Sequence, residues 1–407
     1  MTAGEVNPSR TTDVLIVGLG PAGSATAARL ARASIAVTAI DRARFPRDKI
    51  CSEYLSPEAV RHLDLLGVLA EIEADAVPLH GAKVIGPRGA EMWGLFSQAH
   101  PSPPNPTGLS MPRKILDHAL VRAAARAGAD VLEGTSLMAI VPSPVGHRVT
   151  VDRGGVTETI DARLVIGADG LHSKVAAALG GRARRWLNRF GLVAHVRGVA
   201  EMGHVAEMHV GPAGYVGLNA IGRDLTNVAV VVPAERAAFA KGDSERFWFE
   251  ALEGFPGVRG RVDRGRIDRE ILVTGPFAAR SRAVIGDGLA LVGDAADFFD
   301  PFTGEGVCAA LRGAEMLAPV AAAALARPGL ITAAELEPYQ RARVAAFRGK
   351  WAVERMIGYG MEAPWLFDRA VARLARRGLG HTLIGVTGDF LPAGRVLRPG
   401  FLAAMVV

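Results

Sequence analysis

Apolar positions along the chain fall into short runs of two styles. Asp13-Val-Leu-Ile-Val-Gly18 is a continuous apolar run, the pattern of a strand buried on both faces of a parallel sheet. It leads directly into Gly18-Leu-Gly20-Pro21-Ala22-Gly23 and a helical stretch through Ala33. A second strand over 35–40 ends at Asp41, 23 residues after Gly18. A proline-rich loop, Pro101 to Pro106, separates two strand-like pieces from an amphipathic helix over 111–127. Short strands follow, closing with Arg163-Leu-Val-Ile-Gly167. Between Leu192 and Val232 the texture changes. Runs at 192–199, 204–210, 214–221 and 225–232, split by Gly, Asp or Pro, predict an antiparallel meander. Leu289-Ala-Leu-Val-Gly293 returns to the first style, and an alanine-rich helix is expected from about Glu305. Beyond Thr332 the pattern predicts further helices, ending in the apolar run Phe401 to Val407. A nucleotide-type α/β unit is thus split, with a sheet domain inserted into it.

With 407 residues, 49% hydrophobic and 22% charged, the chain has the balance of a globular protein of two or three domains. Its two cysteines, Cys51 and Cys308, cannot build a disulfide framework, which fits a reducing, cytoplasmic setting. No uninterrupted apolar run reaches the roughly 18 residues of a membrane span. The longest candidate, Cys308 to Ala326, is broken by Arg312 and Glu315. Val14 to Ala28 imitates a signal peptide but lacks a basic leader and carries the glycine spacing, so it is read as retained. The net charge of +6 comes from six lysines and 41 arginines scattered along the chain. The densest stretches, Arg182 to Arg197 and Arg259 to Arg269, have no stacking aromatics interleaved, so no nucleic-acid partner is expected. The excess reads as a solvated arginine face, suited to anionic cofactors or to peripheral contact with an anionic membrane.

The chemistry begins at Gly18-x-Gly20-x-x-Gly23. The first glycine permits a tight turn, the second lets a pyrophosphate approach the backbone, and the third lets helix and strand pack closely. The helix N-terminus, with Pro21 and Ala22 in its first turn, offers unpaired N–H groups to phosphates. Asp41, followed by Arg42, stands where an acid accepts hydrogen bonds from adenosine ribose hydroxyls. Two more strand-to-turn junctions follow. One is Gly167-Ala-Asp169-Gly170-x-x-Ser173, and the other is Gly293-Asp294-Ala-Ala, with Pro301-Phe-Thr-Gly304-Glu-Gly306 opening the next helix.

Together, in this order, the three motifs resemble the fingerprint of FAD-dependent monooxygenases of the aromatic hydroxylase type. Their superfamily also holds geranylgeranyl reductases and flavin-dependent halogenases. The resemblance implies an α/β fold: a split Rossmann-type FAD-binding domain (1–78, 109–185 and 276–330), an inserted antiparallel β-sheet substrate domain (79–108 and 186–275) and a helical C-terminal region (331–407). It implies that Asp294, after Gly293, bonds the ribityl chain, and that Pro301, Gly304 and Gly306 bring a helix N-terminus to the flavin pyrimidine edge. That dipole favours the reduced, anionic flavin. Asp169 and Gly170 would flank the pyrophosphate channel, and Arg113 would approach the FAD phosphates. With only one GxGxxG, NADPH or NADH is expected as a transient electron donor.

The same resemblance sets the expected reaction. NAD(P)H reduces the flavin, O2 adds to give a hydroperoxyflavin, and one oxygen passes to a lipophilic aromatic, quinone or polyketide-like substrate. The alternative is reduction of isoprenoid-type double bonds, with a halogenase or a non-enzymatic lipid carrier further off. Two departures bear on this choice. The segment from Phe45 to Pro57, around Cys51-Ser52-Glu53, looks like the reductase branch, which often carries Cys-Gly-Glu. The reductases' Tyr-x-Trp-x-Phe-Pro and the halogenases' Trp-x-Trp-x-Ile-Pro are both missing, and Gly214-Tyr215-Val-Gly-Leu218 stands in the corresponding place. His209, Tyr215 and Asn219 are expected to line the substrate cavity. His195 and His204 read as ordinary sheet residues, and no metal-ligand spacing is present. Cys51 and Cys308 read as two small thiols, the alternative being a redox-linked pair.

Overall fold

A computed structural model of the chain describes residues 10–184, 188–237 and 242–406. Residues 1–9 of the first predicted segment, 185–187 of the arginine-rich stretch and Val407 of the apolar tail lie outside the described residues. In chain order, β1 (Arg10–Val17), α1 (Pro21–Arg32), β2 (Val37–Asp41) and α2 (Pro57–Leu65) open the first domain. The hairpin β3 (Gly81–Ile85) and β4 (Glu91–Leu95) leaves it, and α3 (Arg113–Arg126) returns. Next come β5 (Asp130–Glu133), β6 (Thr135–Ser143), β7 (Gly146–Arg153) and β8 (Val156–Gly167). A second excursion runs through β9 (Arg189–Arg197), β10 (Ala206–Gly211), β11 (Gly214–Gly222), β12 (Leu225–Pro233), α4 (Ser244–Glu253) and β13 (Ile267–Thr274). The chain then closes through β14 (Leu289–Leu291), α5 (Gly306–Leu325), α6 (Ala333–Gly360), α7 (Pro364–Arg376), α8 (Gly380–Thr387) and α9 (Pro399–Val406).

The first domain is built on the parallel order β14–β8–β1–β2–β5, with the β6–β7 hairpin branching from β8. Val14, Leu15, Ile16, Leu164, Val165 and Ile166 have no exposed surface, which explains why both strands read as unbroken apolar runs. Helix α1 packs against α3 and α5. Among the described residues α5 is the one helix long and apolar enough to cross a membrane, with a mean hydropathy of 1.4 over 18 residues. This corrects the reading that Arg312 and Glu315 interrupt the stretch too much to qualify. Its apolar side is used inside the protein, where Leu311, Ala314, Leu317 and Ala321 are buried beneath α1, α2 and α6.

The second sheet has the order β13–β9–β12–β11–β10–β3–β4. Only β10–β11–β12 form the expected meander. Strand β9 pairs with β12, and β10 pairs in parallel with β3. Alternation along a strand specifies which face is buried but not which strand lies alongside, so the partner order was not readable. One face buries Leu192, Val196, Val216, Leu218, Val228 and Val230 against Trp248 and Phe255 of the α4 region. The opposite face carries Tyr215, Asn219, Asn227 and His195 toward the first domain and the C-terminal helices.

Candidate cofactor-binding site

Three adjacent parallel strands end side by side. Val17 of β1 is in register with Gly167 of β8, and Gly167 with Leu291 of β14. The turns that follow are stitched in sequence: Gly18 N–H donates to Ile40 O, Ala168 N–H to Val17 O, and Val292 N–H to Gly167 O. This brings the three motifs to one cleft at the carboxyl ends of the strands, where open α/β sheets bind ligands. The glycines there have separate tasks. Gly18 has φ of +99°, and a Cβ on it would stand 2.5 Å from Ala168 O. A Cβ on Gly23 would stand 1.8 Å from Gly18 O, so no larger residue lets α1 lie this close to the turn. Nothing lies within 4 Å of the Cβ position on Gly20, which leaves that side of the helix N-terminus open. Gly293, at φ +64°, backs onto Ala22 Cβ and so seats the third motif on the first turn of α1. Asp41 accepts N–H bonds from Leu19 and Ala43, both at 2.8 Å, and clamps the end of β2 to the glycine turn, with Arg42 exposed beside it.

Charge around the cleft is balanced. Asp169 accepts from Lys174 N–H at 2.7 Å through one oxygen, while its other oxygen, Oδ1, is buried without a partner. Burial pushes both Asp169 and Asp294 above the usual carboxylate range, the latter against the pull of Lys49, Arg113 and Arg182. Lys49 reaches solvent, yet the protein around it, with the charges of Arg113 and Arg47, lowers its pKa. Arg113 is buried and held by Asp117 through two bonds of 2.7 and 2.9 Å, its charge reinforced rather than lost. Arg182 ties two motifs together, donating to Gly170 O, Leu171 O and Asp294 O. The arginine-rich stretch therefore is not a solvated face throughout, because Arg182 and Arg189 work inside the protein. Open space at Gly20, close packing at Gly18 and Gly23, and the orphaned Asp169 oxygen fit a dinucleotide cofactor lying along the three turns.

At the other end of the cleft, Asp300 caps the turn Pro301–Thr303, accepting from Phe302 N–H, and Gly304 follows at φ +71°. Nothing lies within 4 Å of the Cβ position on Gly306 at the start of α5. Glu305 between them is 3% exposed; Ser56 Oγ donates to it at 3.0 Å, and its Oε1 has no partner. Burial pushes its carboxyl up to about 8, against Lys350.

The sheet face toward this cleft holds Tyr215, which donates to Asp300 at 2.7 Å, and Asn219, which donates to Ser110 at 2.6 Å. The polar groups of both are engaged within the protein. His209 does not belong here. It alternates onto the far face, bonded to Glu207 at 2.8 Å and packed near Gly257 below α4. Sequence reasoning placed it by strand and missed its parity. It also passed over His195, whose Nε2 lies 2.7 Å from Glu53 Oε2 in a buried pair on the cleft-facing side. Glu53 holds a left-handed φ of +57° and accepts Arg113 N–H at 2.8 Å, so backbone strain and two hydrogen bonds aim one carboxylate. The Cys51-Ser52-Glu53 segment was the available signal for it. Cys51 and Cys308 are free thiols in different surroundings, beside Arg113 and beside Glu305 respectively. Beside the Pro301–Thr303 turn the rings pack as one apolar cluster: Phe302 meets Tyr215 edge-on at 5.1 Å and Phe367 at 6.4 Å, with Phe277 and Phe298 in the same cluster.

The sequence profile of the FAD binding domain family matches residues 11–348. Digeranylgeranylglycerophospholipid reductase 1 of Methanothermobacter thermautotrophicus is 29% identical over 340 residues, 81% of each chain. Menaquinone reductase of Mycolicibacterium smegmatis is 30% identical over 322 residues, 72% of each chain. Among solved structures, a flavoprotein/dehydrogenase from Cytophaga hutchinsonii superposes with a TM-score of 0.83 at 20% identity, covering 98% of both chains. A myxobacterial chondrochloren halogenase superposes with a TM-score of 0.79 at 24% identity, over 86% of this chain and 83% of that one. At such identities the structural likeness speaks to fold alone. The profile spans most of the chain and every motif glycine falls on the cleft, so this chain belongs to the FAD binding domain family and is an FAD-dependent oxidoreductase.

Proposed function

We propose that the protein reduces an isoprenoid-type double bond in a lipophilic substrate. The observation that carries this reading is the pair of relatives named as reductases of a digeranylgeranyl glycerophospholipid and of menaquinone, matched over most of both chains. The phenylalanine cluster around Phe302, two residues before Gly304, supports it, since an extended hydrocarbon needs apolar surroundings that exclude water. Bound FAD, charged by NADPH or NADH, supplies hydride chemistry here. The protein's own residues do the rest. Asp294 and Asp169 hold polar groups of the cofactor, and the N-terminus of α5 offers its dipole to negative charge. Phe302 and Phe367 orient the chain to be reduced. Adding a hydride to one alkene carbon requires a proton at the other. Two buried groups on the cleft-facing side of the sheet can hold one: His195, paired with Glu53, and Tyr215, whose hydroxyl donates to Asp300.

Monooxygenation of an aromatic or quinone substrate is the second reading. It is favoured by the absence of the reductases' aromatic signature at Gly214 to Leu218. One experiment separates them: FAD-loaded protein, chemically reduced, is mixed with a detergent-dispersed polyprenyl quinone without oxygen and then in air. A product still heavier by two hydrogens after the quinol formed alongside it has been reoxidised in air is expected, the gain then lying in the prenyl chain. A product heavier by one oxygen, formed only in air, would overturn the reductase in favour of the monooxygenase.

A further inference from the structure

We propose that the outer face of α7 docks the protein on an anionic phospholipid surface. Helix α7 has two opposed faces. Phe367, Val371 and Leu374 point inward and join the apolar cluster around Phe302 and Tyr215. Trp365, Arg369, Arg373 and Arg376 recur at helical spacing on the outside, and Arg377 follows at the C-cap. Trp365 is 58% exposed, and Arg369, Arg376 and Arg377 are exposed as well. Arg373 is half-buried, and its pKa is lowered first by desolvation and then by the like charges of Arg369, Arg376 and Arg377 around it. Val406 of α9, which packs on α7, adds a second exposed apolar side chain, at 50%.

Charge complementarity identifies the occupant. From residue 361 to 407 the chain has six arginines and three acids. Each acid is engaged within the protein: Glu362 with Arg189, Asp368 with the N–H groups of Arg88 and Ala90, and Asp389 with Arg312. Glu362 stays half exposed just before the helix, but the outer face of α7 itself carries no acid and is basic, with an indole among the arginines, the composition of a helix lying in a membrane interface. A folded nucleic-acid surface would ask for a stacking platform or groove, whereas a single exposed Trp beside arginines suits lipid headgroups. The placement has a purpose if the substrate is lipophilic, and in that respect only it rests on the function proposed above. The inner face of α7 touches Phe302, two residues before Gly304, so docking would hold the cleft roughly one helix diameter, about 10 Å, from the lipid.

The test is co-sedimentation of the FAD-loaded full chain with vesicles of phosphatidylglycerol and phosphatidylcholine in equal parts, and with phosphatidylcholine alone. Binding to the anionic vesicles only, reversed by salt, is expected. Replacing Arg369, Arg376 and Arg377 together by Gln should weaken it about 100-fold, at about 5-fold for each arginine near an anionic surface. Flavin content reports that the variant is folded. Quenching of Trp fluorescence by brominated lipid should fall in Trp365→Phe. Equal binding to both vesicle types, or by wild type and the triple variant, overturns the proposal. So does preferential capture by single-stranded RNA in competition with vesicles, or loss of the face in a dimer of this chain. The two proposals fail separately. A protein that reduces a prenyl double bond of the dispersed quinone yet ignores vesicles loses only the docking surface, and one that binds vesicles without reducing that bond loses only the reaction.

Discussion

Single residues show how far local chemistry depends on what surrounds it. Glu305 reads in the sequence as a spacer between two glycines, yet it is the buried carboxyl beneath the N-terminus of α5. Lys350 of α6, Asp389 beyond α8, Ser56 and Tyr54 before α2, and Cys308 on α5 itself all bear on it. A carboxyl whose pKa is raised on folding contributes stability that is full below its unfolded value and is lost as pH rises through its folded value. For Glu305 that loss runs from the ordinary carboxylate range up to about 8, and Glu354, pushed up to about 7, acts in the same direction. Glu58 and Glu207, lowered to about 2, titrate below this window. The melting temperature of the wild type should therefore decline between about pH 5 and about pH 9. In Glu305→Gln, which retains an acceptor for Ser56, the decline should be shallower. Identical slopes in the two proteins would show that Glu305 does not titrate there.

At the scale of the element, the glycine turn and α1 separate folding from binding within one motif. A Cβ on Gly23 meets Gly18 O, so Gly23→Ala should cost the apoprotein about 3 kcal/mol, the upper end of overpacking penalties. Gly20→Ala meets nothing in the protein. It should cost at most about 1 kcal/mol, as alanine at an N-cap does. Its effect should appear instead as weakened FAD retention. Denaturant unfolding of the apoproteins, read beside flavin absorbance of the loaded ones, tests both. A Gly20→Ala protein that kept its flavin fully would contradict the approach of a pyrophosphate at that position. The motif was legible because the constraint is local: a tight turn, a short contact and a helix start fall within six residues. The strand order of the second sheet was not, because register and partner are settled between segments far apart in the chain.

At the scale of the molecule, one buried cluster joins its parts. Arg189 of the second sheet pairs with Asp300 of the first domain at 2.8 Å and with Glu362 beyond α6, while Tyr215 donates to the same Asp300. Removing one partner of a buried pair leaves the other charge uncompensated, so Asp300→Ala should cost about 3–5 kcal/mol. The loss should fall on both the sheet and the cofactor turn, since Asp300 also caps Pro301–Thr303. Denaturant unfolding followed by tryptophan fluorescence and by flavin release should give coincident, earlier transitions. A separated flavin transition with an unmoved fluorescence midpoint would mean that Asp300 serves the turn alone.

The sequence by itself determined the cofactor class and the split plan of the chain. Gly18, Gly20, Gly23, Asp169, Gly293 and Asp294 declare themselves because backbone geometry at a strand-to-helix turn admits few residue types. Tertiary structure alone decided which side chains share the cleft. Strand parity turned His209 away and His195 inward. Domain packing made Arg182 and Arg189 internal clamps in a stretch that looked like solvated surface, and Glu53 gained its role only from Arg113, 60 positions along the chain. Such meetings depend on how distant segments pack, and no local pattern of apolar and polar residues encodes them.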